Sequence, residues 1–379
     1  MDSVAPATAS PSSSSRTIED VRSFIHECLS LNPVVVLGSG ASVGFGLPTM
    51  ADLANCIHEA LKGAKLTPED QEKWKKLKGD LEQNKIGLEA ALDSIGLDEH
   101  SALYVTIVET VWREVTWKDL LAFAKVVNGE ELPHARLFNY LFGGSSRRVT
   151  VITPNYDRLA EYGADQVQCC HRTGFSAGYR RPWRGGDRNL RCFRPDIRQD
   201  ERTVDVLKVH GSVDWFVGEG NPENVLGLPL AAENQDCLKL PPGFRPLIVP
   251  PSKEKYRQAF RDPFRSLLAE ADRALKAAEA FLCVGYGFND DHIQPYLVRA
   301  LRHRAKPVVM VSRTLTDKAA EILRGVSGNP RYCAVTAKFD DDEKPVQGKA
   351  RIFTQNAPDG AVVDGDELWS FDGFAREFL

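Results

Sequence analysis

Pro33-Val-Val-Val-Leu-Gly-Ser-Gly-Ala-Ser-Val-Gly-Phe-Gly-Leu-Pro-Thr49 is the stretch around which the chain is organised. Val34 to Leu37 are four consecutive apolar residues, the pattern of a strand buried on both faces. Gly38, Ser39, Gly40, Ala41 and Ser42 follow at once, and a helical pattern resumes at Thr49-Met50-Ala51-Asp52-Leu53. A strand, a small-residue turn and a helix N-terminus bring backbone N–H groups to a place that a pyrophosphate can approach. Gly38 and Gly40 permit the tight turn and put no side chain in the way. A glycine turn closing a strand also has a purely structural reading, and this stretch alone leaves both open.

Working outward, the 379-residue chain is 42% hydrophobic and 26% charged, ordinary for a globular protein and enough for one large domain with insertions or two sharing a core. A net charge of −4 carries no global nucleic-acid or membrane signature. No apolar run approaches the roughly 20 residues that span a bilayer. Residues 1–16 are rich in Ala, Ser and Pro without a hydrophobic segment, so they read as a disordered tail and not a signal peptide. The eight cysteines are scattered, which fits reduced thiols in a cytoplasmic protein.

An amphipathic helix over Ile18–Leu31 precedes the first strand, and residues 51–130 read as a helical insertion. A short helix is expected over Leu132–Leu141. Strand signals return at Val149–Thr153, Val204–Val209, Pro246–Pro250, Phe281–Gly285 and Pro307–Val311, with helices between several of them. Strands alternating with helices predict an α/β fold: a Rossmann-like parallel sheet with helices on both faces, plus the helical insertion. The domain limits expected are 17–335 for this unit and 336–379 for a C-terminal extension. The aromatic residues of that extension, Trp369 to Phe378, suit docking on the body or on a neighbouring subunit.

Ligands of such sheets sit beyond the carboxyl ends of the strands. Those ends read Gly38-Ser-Gly40, Thr153-Pro-Asn-Tyr-Asp157, His210-Gly-Ser212, Val249-Pro-Pro251, Gly285-Tyr-Gly287 and Ser312-Arg313. Asn155 and Asp157 flank Tyr156, so in an extended segment they share a face; an Asx turn closing the strand accounts for them equally well. His210 ends a strand, where a satisfied structural histidine is more common than a functional one.

Taken together, Gly38–Ser42 with Gly46-Leu-Pro48, Thr153–Asp157, His210–Ser212 and Gly285–Asn289 resemble the sirtuin-like (silent-information-regulator-like) NAD-binding domain over about residues 30–315. More narrowly, Asn155-Tyr156-Asp157 with Glu161, Lys208–Trp215, Ile248–Ser252 and Gly285–His292 look like its prokaryotic antiviral branch, whose members hydrolyse NAD. Departures from the deacylase pattern point the same way. Thr49-Met50-Ala51 stands where a deacylase has Asp-Phe-Arg, Val249-Pro250-Pro251 replaces Phe-Gly-Glu, and no Cys-x-x-Cys occurs, so no zinc ribbon and no metal are expected. Cys169, Cys170, His171 and Cys192 form a weaker metal candidate.

The resemblance implies an NAD+ glycohydrolase that cleaves NAD+ to nicotinamide and ADP-ribose, an effector of antiphage defence by NAD+ depletion. Catalytic roles fall to Asn155, on a ribose hydroxyl or the attacking water, to His210 as general base, and to Asp157 as orienter. Cofactor-binding roles fall to Gly38, Ser39, Gly40, Ala41, Ser42, Pro48, Thr153, Tyr156, Gly211, Gly285, Tyr286, Gly287 and Ser312. Implied partners are further copies of the chain and a HerA-type ATPase/helicase, with a short Argonaute protein next; no sensor domain is visible after residue 335. Direct nucleic-acid binding stays open, because Arg172–Arg202 holds nine arginines among Tyr179, Trp183 and Phe193. A non-catalytic NAD or ADP-ribose-binding regulatory module and a zinc-independent deacylase are the rival readings.

Overall fold

The structure is a computed structural model that describes residues 13–82, 88–184, 201–230, 238–250, 261–288, 290, 293–295, 297–299, 306–325 and 331–379. Helix α1 spans Ser13–Ser30 and strand β1 Val34–Leu37. Then come α2 (Met50–Lys62), α3 (Pro68–Glu82), α4 (Leu88–Ile95), α5 (Ala102–Val127) and α6 (Pro133–Gly143). Strand β2 (Arg148–Thr153) leads through α7 (Leu159–Gln166) to β3 (Cys170–Arg172), β4 (Arg181–Pro182) and β5 (Thr203–Lys208). Next are β6 (Gly211–Gly218), β7 (Asn221–Gly227), β8 (Phe244–Ile248), α8 (Phe264–Ala277), β9 (Phe281–Val284), β10 (Val308–Val311) and α9 (Asp317–Gly325). Strands β11 (Tyr332–Phe339), β12 (Pro345–Thr354) and β13 (Ala357–Asp364) precede the closing helix α10 (Phe371–Phe378).

Nine strands form one sheet in the order β13-β12-β11-β10-β9-β1-β2-β5-β3. From β11 to β3 its pairs are parallel, and β12 and β13 add antiparallel at one edge. All four residues of β1 are buried because both faces are covered. Val35 and Leu37 pack with α1, α6, α7 and α10, whereas Val34 and Val36 pack with α8 and α9. The continuous apolar run of β1 is the signature of that two-sided burial. The α/β sheet with helices on both faces is therefore as the sequence predicts.

Some expectations change. The strand expected at Pro246–Pro250 is β8, which joins a separate antiparallel sheet, β4-β7-β6-β8. The 335/336 limit falls inside β11, whose parallel pairing with β10 includes Val311 with Val335, so the large sheet continues across it. Helix α1 takes in Ser13–Arg16 of the expected tail; residues 1–12 lie outside the described residues. The aromatic end is docked: Phe371, Phe374 and Phe378 are buried against α1 and α6.

The helical insertion α2–α5 has its own core, which includes Tyr156, Leu159, Tyr162, Val213, Phe216 and Ile248. It thus packs on the segments that follow β2 and β5. Helix α2 begins where the sequence places it, because Thr49 Oγ1 accepts from Asp52 N and Asp52 Oδ2 accepts from Thr49 N, a reciprocal cap. Among the described residues, no helix is long and apolar enough to cross a membrane.

Candidate active site

The chain leaves β1 for β2 on one side, while β9 lies on the other. Strand order reverses between β1 and β9, and a crevice at such a switch point is where open parallel sheets receive ligands. Register fixes what gathers there. Val36 pairs with Ile152 and Leu37 with Val284, so Gly38, Pro154 and Gly285 leave the sheet at one level. Thr153 pairs with Lys208, so Asn155 and His210 each stand two residues beyond the same rung.

Two short 3-10 turns, Ser39–Ala41 and Val43–Phe45, separate β1 from α2, so the glycine turn does not feed a helix directly. Gly38 N donates to Val284 O at 2.9 Å, and Gly40 N to Gly285 O at 3.2 Å. An added Cβ on Gly38 would lie 2.3 Å from Gly285 O, and one on Gly285, whose φ is +58°, 2.2 Å from Ala41 N. The glycines are therefore required by the approach of two backbone loops as well as by any ligand. Ser39 and Gly40 are exposed, whereas Ala41 and Ser42 are buried. Pro48, half-buried, leads into the cap of α2.

Asn155 is half-buried, and its Nδ2 donates to Gly38 O at 2.9 Å and to Ser42 Oγ at 3.1 Å. Ser42 Oγ in turn donates to Asp157 Oδ2 at 2.8 Å. Both contacts of the amide nitrogen are acceptors, which sets the direction of the amide. Thr153 Oγ1 accepts from Asn155 N at 3.0 Å and donates to Leu37 O at 2.9 Å. Asp157 Oδ1 accepts from Leu159 N at 3.2 Å, and the buried Lys208 ammonium donates to Asp157 O. Burial pushes the Asp157 carboxyl above its usual range, and the Lys208 charge opposes that. Lys208 also lies 3.4 Å from Glu161, whose carboxyl burial likewise raises.

His210 is 3% exposed, and its Nε2 lies 3.2 Å from Asp290 Oδ2. A carboxylate on one ring nitrogen orients an imidazole and stabilises its protonated form. Gly211, at φ +96°, lies so close to β8 that a Cβ would meet Leu247 O at 2.2 Å. Tyr156 O accepts from Val213 N at 3.0 Å and Ser212 Oγ at 3.3 Å, joining the segments that hold Asn155 and His210. The Tyr156 hydroxyl donates to Val249 O.

On the other side of the crevice, Thr316 Oγ1 donates to Gly287 O at 2.7 Å. Tyr286 follows Gly285 in the loop after β9. Its ring is 4% exposed and packs on Phe288 with centroids 5.1 Å apart, so the backbone at Gly285 meets the glycine turn and the ring belongs to the core. Ser312 ends β10 half-buried, its N donating to Val335 O at 3.1 Å. Asp290 had no assigned role in the sequence reading; its place after Gly285-Tyr-Gly-Phe288 was visible, but its partner 80 residues earlier in the chain was not.

Among the described residues, no group of three His, Cys, Asp or Glu is placed to hold a metal. Cys192, Cys237 and the arginines of residues 185–200 lie outside the described residues. Two cavities, of about 900 and 160 Å³, open elsewhere, beside the tip of the β6–β7 hairpin between Glu99, Arg245 and Arg261.

The SIR2-like domain family matches residues 149–324, a little under half of the chain. No curated protein matches. Among solved structures, the chain is similar to Sir2Tm bound to a propionylated peptide, at 15% identity over 77% of this chain and 86% of that one, with a TM-score of 0.38. It is also similar to Sir2 bound to an acetylated peptide, at 14% identity over 77% and 87%, with a TM-score of 0.36. A mutant Sir2 homologue complexed with 2′-O-acetyl ADP ribose gives 17% identity over 77% and 90%, with a TM-score of 0.37.

Proposed function

We propose that the crevice at the carboxyl ends of β1, β2, β5 and β9 binds NAD+ and hydrolyses its bond to nicotinamide. The observation that carries this reading is the placement of Asn155 and His210 beyond one rung of the sheet, with the Asn155 amide bonded to the glycine turn at Gly38 and Ser42. The match of residues 149–324 to the SIR2-like domain supports it.

Nicotinamide leaves as a neutral amide from a cationic ring, so the sugar passes through an oxocarbenium-like state. The glycosidic C–N bond breaks with its electron pair going to the nicotinamide nitrogen, and a water oxygen bonds to the anomeric carbon. With Nδ2 tied to Gly38 O and Ser42 Oγ, Asn155 turns its carbonyl oxygen to a sugar hydroxyl or that water. The water's proton passes to His210, whose charged form Asp290 stabilises. Holding sugar and water together is the larger contribution, since orientation is worth up to about 7–11 kcal/mol. Residues Ser39–Ala41 take the pyrophosphate, and the adenosine half lies toward Gly285–Gly287 and Ser312.

The wider proposal, taken from the sequence resemblance, is an antiphage effector that depletes NAD+ as a homo-oligomer switched by a HerA-type ATPase. Cleavage itself is tested by incubating the chain, alone and with such a partner, with NAD+ and separating nicotinamide, ADP-ribose and cyclic product. Release is expected, and Asn155→Ala or His210→Ala should lower it by about 10²-fold or more. Undiminished release in both variants would refute the assignment.

A further inference from the structure

The helical insertion reaches the site through two buried polar contacts made by one face of α5. Asp119 is wholly buried and accepts four hydrogen bonds. Its Oδ1 takes Arg158 N at 2.7 Å, and its Oδ2 takes Arg158 Nε at 2.9 Å, Arg158 Nη2 at 2.6 Å and the Tyr162 hydroxyl at 2.7 Å. Two turns earlier on the same helix, Trp112 is 1% exposed and donates Nε1–H to Val213 O at 2.7 Å.

Residues 112 and 119 are seven apart, so they emerge from one face about 10.5 Å apart along the axis. Arg158 follows Asn155 by three residues, and Val213 follows His210 by three. One helix therefore grips the chain just beyond each of the two residues. A buried ion pair is a poor way to gain stability, since apolar side chains of similar volume hold elements together as well or better. What a carboxylate adds when it receives a guanidinium fork and a backbone N–H together is direction.

We propose that α5 sets the spacing between Asn155 and His210, with Asp119 and Trp112 as positioning residues that act through Arg158 and Val213. The role rests on the reading that these two side chains serve one nucleotide. It makes the helical insertion part of the catalytic frame, although none of its residues need touch substrate.

Asp119→Asn alone would leave the Arg158 guanidinium without its counter-charge, a costly state. The test therefore uses Asp119→Asn/Arg158→Gln, which removes both charges together, beside Trp112→Phe. Amide hydrogen exchange on the full chain is followed over residues 155–160 and 211–215, with β1 and β5 as references. Exchange in the released segment should rise about tenfold or more while the references stay within about threefold. Nicotinamide release should fall about tenfold or more with KM within about threefold, since orientation is lost and not general affinity.

Unchanged exchange in both segments overturns the proposal. So does acceleration spread evenly over β1 and β5, which would mark the contacts as general packing, and so do loosened segments with undiminished turnover. If the segments loosen while the unaltered chain releases no nicotinamide, the spacing role of α5 stands and the cleavage reading falls.

Discussion

Replacing Gly285 by alanine tests how the crevice is built. Two costs add at this position. A side chain at φ +58° enters the left-handed region, which costs about 1–2 kcal/mol. The new Cβ would also lie 2.2 Å from Ala41 N, 2.4 Å from Gly40 C and 2.5 Å from Gly40 Cα. All three are backbone atoms, so no side chain can swing aside, and overpacking of this kind adds about 1–3 kcal/mol. The sum, about 2–5 kcal/mol, is a large part of a typical stability of about 5–15 kcal/mol. Gly46→Ala supplies the control, because Gly46 has φ +87° but nothing within 4 Å of its Cβ position. It should cost only the strain of about 1–2 kcal/mol. Gly44→Ala, with open space and ordinary φ, should be near neutral. Urea unfolding of the three variants should rank them Gly285, Gly46, Gly44. Equal losses for Gly285→Ala and Gly46→Ala would refute the interlock of the β1 and β9 loops.

Asp290→Asn removes the carboxylate beside His210 Nε2 and should lower nicotinamide release by about 10²-fold, the lower range of a general base's contribution, with KM little changed; steady-state kinetics would show it. His134 is buried against the Phe371 ring, and burial drives its pKa down to about 3. The folded chain thus stays unprotonated there while the unfolded chain takes up a proton below about pH 6.5, so stability falls as pH drops from 6.5 toward 3, by up to about 1.4 kcal/mol per unit. Urea midpoints should decline over that range and decline less in His134→Leu.

Much of the large sheet was legible because its strands announce themselves: Val34–Leu37, Phe281–Val284 and Val308–Val311 are continuous apolar runs between glycine, proline and polar residues. Strand β6, Gly211–Gly218, was hidden because Asp214 interrupts it, and Asp214 is buried with its charge met by Arg181 of β4 at 2.6 Å, by Arg158 and by Ser212. Strands β12 and β13 carry Lys349, Arg351, Asp359 and Asp364 on a half-exposed edge, so their composition reads as surface. The site was legible as far as strand ends are. Adjacency of 155 with 38 and 42 follows from parallel register, and spacing along the chain carries no trace of it. The roles of Asp119, Trp112 and Asp290 depend on helix and loop packing across 39, 101 and 80 positions, distances over which a single sequence holds no pattern.

A structure determined after soaking with ADP-ribose tests the central claim most directly. The account predicts the pyrophosphate on Ser39–Ala41 and the sugar that carried nicotinamide between Asn155 and His210. Density confined to the cavity beside Arg245 and Arg261, with the Gly38 turn empty, would contradict it.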